Sequence, residues 1–196
     1  MTENPGIPNA SFEIRSSGPW PLCNAKTGAP YALTRADKIS PSVENLGRLV
    51  AINNEPAIYD FLWRRRLDGR AYDEEMAKSF FEWSSRGWAE QTHFAFVALD
   101  TTGNICAAAD FKSNQRSRTE LGYWVSQDHA SLATPVVGVL KQMARMAGIS
   151  VLFAHVRADN PRSATVLERN GFSETDAPEF SRGYERRTFE LALDDF

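Results

Sequence analysis

Apolar residues in the first half of the chain recur at intervals of three and four, which is the period of a helix with one buried face. From Ser40 this spacing predicts two helices separated by a break at Pro56, because proline lacks a backbone N–H and interrupts a helix. A third helix is predicted after Asp73, whose side chain can cap it, and we expect it to stop near Gly87. Three helices are therefore predicted before any core strand.

Strand-like patterns then occupy the middle of the chain. The runs 93–99 and 105–111 are separated by a polar turn and predict a hairpin. The run 119–125, rich in aromatic and branched residues, predicts a third strand. The middle of the chain is therefore predicted to be an antiparallel meander.

The last part of the chain alternates helices and strands. Thr134 is the predicted N-cap of a helix that ends at Gly148. A buried strand is predicted over 151–156, a short helix within 160–172, and a terminal strand within 189–193. This order of elements predicts an α/β fold of the α+β type with a mixed sheet.

Length and composition fit one globular domain. With 196 residues, 42% of them hydrophobic and 24% charged, the chain can bury a sizeable core. Residues 1–30 are rich in Pro, Gly, Ser and Asn and are predicted to form an irregular or weakly stranded arm, followed by a domain over 31–196. The N-terminus lacks the pattern of a secretory signal and no run has the ~20 apolar residues of a membrane span. We therefore expect a cytoplasmic protein without membrane contact.

Charge, cysteine and histidine content argue against other classes of site. The net charge of -3 lacks the basic excess of a nucleic-acid-binding protein, so we expect no nucleic-acid partner. Cys23 and Cys106 are expected to be free thiols. The three histidines lie in separate segments without ligand spacing, so no metal is expected.

Three short motifs in the second half carry a family resemblance. They are ELGYWV at 120–125, DNPRS at 159–163 and LERNGF at 167–172. In order and spacing they closely resemble the GNAT superfamily of N-acetyltransferases, nearest to the branch of ribosomal-protein N-terminal acetyltransferases. The resemblance covers roughly residues 31–193. It implies a mixed, mostly antiparallel central sheet flanked by helices, acetyl-CoA as acetyl donor, and a primary amine of a protein, peptide or small molecule as acceptor.

The resemblance places the cofactor along the 120–125 strand and at the start of the next helix. In this family the strand splays from its neighbour and pairs with the pantetheine arm, and helix N-terminal amides meet the pyrophosphate. The loop at 128–135 departs from the family because it has no glycine and is shorter. Its small residues can retain the amide cradle; alternatively, the domain has become a catalytically silent module that binds a ligand or a protein. The expected cofactor-binding residues are Trp124, Val125, Ala130, Ser131, Leu132, Ala133, Thr134, Asn160, Arg162 and Ser163.

Acetyl transfer to an amine needs a base for the amine's proton and a proton for the departing thiolate. Glu120, on the strand beside the expected thioester, is the first candidate base. Glu179 is the second, because the ribosomal branch has a similarly placed carboxylate after its Gly-Phe. Ser163 is the candidate donor to sulfur, since the tyrosine of many members corresponds here to Leu167, which cannot donate a proton.

Each candidate also has a structural alternative. Glu120 can be a surface carboxylate paired with Arg116 or Arg118, and Ser163 an ordinary residue of the first helical turn. Asn160 can contact the cofactor, cap the helix, or do both. Possible substrate contacts, although aromatics at helical spacing are more often core residues, are Trp63, Trp83, Trp88 and Tyr184. Exposed sheet edges leave a homodimer open.

Overall fold

A nine-stranded sheet runs through the part of the chain that the computed structural model describes, which comprises residues 10–15, 18–175, 179–181 and 183–193. Its strands are β1 (Trp20–Cys23), β2 (Pro30–Arg35), β3 (Phe94–Leu99), β4 (Ile105–Phe111), β5 (Thr119–Val125), β6 (Val151–Arg157), β7 (Ser173–Glu174), β8 (Glu179–Ser181) and β9 (Tyr184–Ala192). They are arranged in the order β1-β2-β3-β4-β5-β6-β9-β7, and β8 pairs with β9. The β5–β6 pair is parallel and the other pairs are antiparallel. The predicted mixed, mostly antiparallel sheet is confirmed.

Helices lie on both faces of this sheet. They are α1 (Val43–Asn53), α2 (Pro56–Ile58), α3 (Glu74–Glu90), α4 (Ala133–Met146) and α5 (Pro161–Arg169). A π-helix over Tyr59–Trp63 follows α2, and 3-10 turns occupy Ala36–Lys38 and Gln127–Leu132. None of the helices in the described segments is long and apolar enough to cross a bilayer.

Two apolar clusters, one on each face of the sheet, form the core. Phe94 and Phe96 on β3 pack with residues of α4 and α5, whereas Ala95 and Val97 on the same strand pack with residues of α1 and α3. Successive side chains of a strand point to opposite faces, so a strand covered on both faces is apolar throughout. This explains why the β3 sequence shows no polar alternation.

Local capping signals are partly confirmed. The Asp73 side chain accepts a hydrogen bond from the N–H of Met76 at 3.0 Å and caps α3 as predicted. The predicted end near Gly87 is wrong, because α3 continues to Glu90. Glycine at position 87 instead allows the His93 side chain to pack closely, because a Cβ there would lie 2.3 Å from the ring of His93.

The predicted N-cap of α4 is also wrong. The helix begins at Ala133, before Thr134, and it has no side-chain cap. The 3-10 turn over Gln127–Leu132 runs directly into it, and the residue at the junction, Leu132, already has helical backbone angles. Tertiary packing of the preceding loop has therefore overridden the Thr-Pro start signal.

The N-terminal segment contributes to the sheet and to the core. β1 pairs with β2, and the Phe12 side chain is 1% exposed, with its ring 5.2 Å from that of Phe94. Residues 1–9, 16–17 and 194–196 lie outside the described segments. The proposed boundary at residue 30 stays a prediction.

Candidate active site

The sheet splits between β5 and β6. These parallel strands are paired only at Thr119 with Leu152 and at Glu120 with Phe153, although each strand continues for several residues. Beyond Glu120 the edge of β5 that faces β6 is no longer covered by a strand, while its other edge stays paired with β4 as far as Val125. Free backbone N–H and C=O groups on such an edge can pair with an extended ligand.

A cavity of about 680 Å³ lies at this split. We call it the central cavity; its walls come from β4, β5, β6 and β9 and from the helical segments between α1 and α3. The sequence-predicted residues that line it are Trp63, Trp83, Glu120, Trp124, Asn160, Ser163 and Tyr184. The fold therefore brings together candidates for catalysis, cofactor binding and substrate binding that are up to 121 residues apart in the chain.

Glu120 lies in the wall of the central cavity and is half-buried. In the described segments its carboxylate has no salt bridge, and Arg118 pairs instead with Glu190. Lys112 also lines the central cavity, and the Glu120 carboxylate acts on its charge. Burial lowers the pKa of the Lys112 ammonium, but the Asp110 and Glu120 carboxylates outweigh this effect and raise that pKa, so Lys112 is positively charged.

Ser163 is hydrogen-bonded to a residue that sequence reasoning missed. The Tyr123 hydroxyl lies 2.8 Å from the Ser163 hydroxyl, and both residues line the central cavity. Burial raises the pKa of Tyr123 to about 12, with a smaller opposing effect from Ser163. Leu167 is fully buried. A phenol is therefore present near the split, on β5 rather than on the last helix.

Asn160 caps α5, as the sequence predicts. Its side-chain oxygen accepts a hydrogen bond from the N–H of Ser163 at 3.2 Å. Asn160 also lines the central cavity, so both roles considered for it are compatible with its position. Arg162, in contrast, is exposed on α5 and does not line the cavity. Its contact with a cofactor stays a prediction.

The loop expected to hold the pyrophosphate is fixed from two sides. The Glu55 carboxylate accepts hydrogen bonds from the Ser126 hydroxyl at 2.7 Å and from the Gln127 N–H at 2.6 Å. On the other side, the Tyr31 hydroxyl lies 2.9 Å from Nδ1 of His129. Sequence reasoning missed Glu55 and Tyr31, because each lies far from the loop in the sequence.

The amides of this loop are less available than its sequence suggested. The N–H of Gln127 is bonded to Glu55, the N–H of His129 to the Ser126 carbonyl, and the N–H of Ala133 to the Ala130 carbonyl. The sequence predicted a helix start at Thr134 with free N–H groups. In the structure a 3-10 turn precedes the helix, and several N–H groups of the loop are already hydrogen-bonded. The predicted loop residues do not line the central cavity: Ala130, Ser131, Leu132, Ala133 and Thr134.

The aromatic candidates have different environments. Trp63 lines the central cavity, and its Nε1 donates to the Asn53 side-chain oxygen at 2.8 Å. Trp83 lines it too and stacks on His93 at 4.2 Å between ring centroids. Trp88 is a core residue, the alternative that the sequence favoured for aromatics at helical spacing, because its side chain is 3% exposed and packs in the core.

Tyr184 and Glu179 belong to the C-terminal hairpin. Tyr184 lines the central cavity, and the Arg157 guanidinium carbon lies 5.1 Å from the centroid of its ring. Glu179 pairs through its backbone register with Arg186 on β9. The Glu179 side chain lies outside the described part of the structure, so its role as a base stays a prediction.

Clusters that could hold a metal are absent from the described segments. Cys23 is exposed and Cys106 is buried, and both are free thiols. The polar side chains in the lining of the central cavity include Glu120, Tyr123 and Ser163 together with several basic residues.

Solved structures share this architecture. RimJ of Mycobacterium smegmatis, in complex with CoA-disulfide, superposes with a TM-score of 0.71 at 15% identity, covering 88% of this chain and 86% of that one. Spermidine N-acetyltransferase of Vibrio cholerae, in complex with CoA and spermine, gives 0.66 at 12% identity and covers 83% and 95%. The yncA protein of Salmonella typhimurium, with acetyl-CoA, gives 0.63 at 18% identity and covers 85% and 95%. At these identities the likeness establishes the fold.

Sequence comparison establishes the family. Among curated proteins, none matches the sequence of this chain. The profile of the acetyltransferase (GNAT) domain, however, matches residues 39–173, which is more than half of its length. Together with the split sheet, this match shows that the chain belongs to the GNAT family of acetyltransferases.

Proposed function

We propose that this protein transfers an acetyl group directly from acetyl-CoA to a primary amine, with Glu120 as the general base. The observation that carries the proposal is the position of Glu120. Its carboxylate lies at the point where β5 leaves β6, it faces the central cavity, and it has no salt bridge in the described segments. A carboxylate in such a position is available to accept a proton.

The donor is acetyl-CoA, as in the structural neighbours crystallised with CoA or acetyl-CoA. The open edge of β5 next to Trp124 and Val125 offers backbone groups to the amides of the pantetheine arm, as an added strand would. The 3-10 turn at Gln127–Leu132 and the start of α4 supply the remaining cofactor contacts in this proposal.

The reaction needs three proton movements. An acceptor ammonium loses a proton to Glu120, directly or through a water molecule, and the free amine attacks the thioester carbonyl carbon. The new C–N bond forms as the C–S bond breaks; the nitrogen, positively charged after the attack, loses its second proton to solvent, and the departing thiolate takes up a proton. A protein α-amine has a pKa of about 8 against about 10.4 for lysine, so a single carboxylate base suits the α-amine better.

The Tyr123–Ser163 pair is our proposed proton source for the thiolate. With a pKa of about 12, Tyr123 keeps its proton at neutral pH. Its hydroxyl is hydrogen-bonded to that of Ser163, which the resemblance places near the sulfur. A proton passed from Ser163 to sulfur can therefore be replaced from Tyr123, which regains its own from solvent.

The acceptor is proposed to be a protein or peptide α-amine, with small amines as the second class. RimL, a ribosomal L7/L12 alpha-N-protein acetyltransferase of the same fold, supports the first class, and the spermidine N-acetyltransferase neighbour supports the second. A cytoplasmic location and a homodimer stay predictions from the sequence.

A catalytically silent binding module is the second candidate function. It is favoured by the loop between β5 and α4, which has no glycine and in which Glu55 already occupies the Gln127 amide. In this alternative the central cavity binds a ligand or a protein segment without acetyl transfer.

Titration calorimetry with acetyl-CoA and with CoA decides between the two. We expect the wild-type protein to bind with a Kd below about 100 µM. Ala130→Glu places a carboxylate on the exposed side of the loop and should weaken binding by at least about tenfold through charge repulsion. Ala51→Glu, on the exposed face of α1, is the matched control and should bind like the wild type. Absence of binding at millimolar ligand by folded wild-type protein would reject the acetyltransferase in favour of the silent module.

A further inference from the structure

Basic side chains outnumber acidic ones in the lining of the central cavity. The basic residues are Arg66, Lys112, Arg157 and Arg186, and the acidic residues are Asp110 and Glu120. The protein as a whole has a net charge of -3, so the cavity departs in sign from the rest of the molecule. A concave site of one sign with low-dielectric walls concentrates ligands of the opposite sign.

Two of these cations already have anionic partners. Nζ of Lys112 lies 3.1 Å from Oδ1 of Asp110. Arg157 forms a salt bridge with Asp159 and also donates to the backbone carbonyl of Asp60 at 2.7 Å. The positive charge of these two side chains is therefore already partly balanced by neighbouring carboxylates.

Arg66 makes no salt bridge with a carboxylate among the described residues. Its guanidinium lies over the ring of Trp63, at 5.6 Å from the centroid. Arg66, Lys112 and Glu120 all line the central cavity, so their charges act on the same space.

The support under Arg66 is rigid. The indole N–H of Trp63 donates to Asn53, whose own amide donates to the Leu49 carbonyl at 2.8 Å within α1. The Trp63 ring also packs on Tyr72, with ring centroids 4.9 Å apart. An arginine that lies over a fixed aromatic ring has less freedom to lose when its planar fork binds a carboxylate or a phosphate.

We propose that the acceptor amine carries an anionic group, a carboxylate or a phosphate, and that Arg66 binds this group while the amine lies at Glu120. This inference rests on the proposed function. The favoured acceptors are amines with the anionic group a few bonds from nitrogen, either a small molecule or a peptide N-terminus followed by an acidic residue. A polycationic acceptor is disfavoured, because the same cations repel it.

Matched acceptors test this specificity. Three matched sets of acceptors are assayed as substrates. The first is a set of peptides with Glu, Gln or Lys in the second position. The second is an amino dicarboxylic acid and its diamide, and the third is an amino sugar phosphate and the amino sugar without phosphate. We expect kcat/KM to be at least about tenfold higher for each anionic acceptor than for its neutral counterpart. The lysine peptide should be poorer than the glutamine peptide. The peptide and small-molecule series show which source of the anion the cavity accepts.

The variants Arg66→Gln and Arg64→Gln assign the effect to one residue. Arg66→Gln should raise KM for the anionic acceptors by about tenfold and leave the neutral ones unchanged. Arg64 belongs to the same segment and is exposed like Arg66, but it pairs with Asp60 and does not line the cavity, so Arg64→Gln should retain the full preference. Equal rates for charged and neutral acceptors in the wild type, or an equal loss for both in Arg66→Gln, would overturn the inference.

Calorimetry of the same acceptor pairs separates this inference from the proposed function. One outcome is that the protein acetylates none of these acceptors but binds the anionic member of a pair, and that Arg66→Gln abolishes this binding. That outcome supports the anion site and rejects acetyl transfer. If charged and neutral members bind with equal affinity, the anion site is rejected, whether or not the protein acetylates an amine. Thermal unfolding of each variant confirms that it is folded.

Discussion

The hydroxyl of Tyr123 on β5 lies 2.8 Å from the hydroxyl of Ser163 on α5 and 3.2 Å from the Ser163 backbone carbonyl oxygen, so that hydrogen bonds connect the two elements beside the split in the sheet. Leu167, which the family resemblance places at the position of a tyrosine in many members, is buried and has no proton to donate. The phenol beside the split therefore comes from a strand instead of the last helix.

Removing the Tyr123 hydroxyl should slow the chemical step. We expect Tyr123→Phe to lower kcat by about tenfold or more, with little change in the KM of acetyl-CoA, because proton supply matters in the transition state more than in binding. Ser163→Ala should have a similar effect, and the double variant should be no slower than the worse single one, since the two act as a unit. Steady-state kinetics checks this. Tyr59→Phe is the control, because the Tyr59 hydroxyl donates to the Arg70 carbonyl away from the cavity.

Replacing Glu120 should remove the base but not the cofactor site. Glu120→Gln is expected to lower kcat by roughly 10²–10⁴-fold while acetyl-CoA binds as in the wild type. Activity of this variant should recover as pH rises toward the pKa of the acceptor, because more of the amine is then already deprotonated. A pH–rate profile beside that of Glu82→Gln, an exposed glutamate of α3, measures this. A kcat equal to that of the wild type would assign the base elsewhere, with Glu179 the next residue to replace.

Loss of the Glu55 carboxylate should loosen the loop that precedes α4. Glu55→Ala leaves the buried Ser126 hydroxyl and the Gln127 N–H without their acceptor, at a cost of about 1–3 kcal/mol. We expect a lower free energy of unfolding and a higher KM for acetyl-CoA, with the acceptor KM unchanged. Chemical denaturation and initial rates test this. Glu74→Ala removes an exposed i,i+4 pair with Lys78 and should change neither quantity appreciably.

Adding a methyl group at Gly122 should alter the cavity more than the fold. A Cβ there would lie 2.5 Å from Nζ of Lys112 and 2.7 Å from Oδ1 of Asp110, so the ends of both side chains must move. We expect Gly122→Ala to raise the acceptor KM, with a stability change within about 1 kcal/mol because Lys112 is flexible. Gly47→Ala, where a Cβ meets no atom within 4 Å, should instead stabilise α1 by about 0.5–1 kcal/mol. Unchanged acceptor kinetics in Gly122→Ala would place the acceptor away from this wall.

Local signals were sufficient for most of the secondary structure. The strand at 119–125 and the helix that opens at Asn160-Pro161 follow from hydrophobic periodicity and capping chemistry, which involve residues a few positions apart. The two errors, at Gly87 and Thr134, are at helix ends, where local signals compete with packing. α3 continues past Gly87 until Gln91, whose left-handed conformation ends it. The 3-10 turn held by Glu55 and Tyr31 leads directly into α4 ahead of Thr134.

The sequence by itself determined the family, the α+β fold and the candidate base at Glu120, because these depend on motifs and periods that are local in the chain. Only the tertiary structure decided the partners of these residues: Ser126 is 71 positions from Glu55, and Ser163 is 40 positions from Tyr123. The charge of the central cavity could not be predicted from the sequence either, because Arg66 shares its segment with two further arginines that do not line the cavity. A hydrogen bond or a charged wall depends on the distance between side chains, and the distance across a sheet is set by the packing of every element between them.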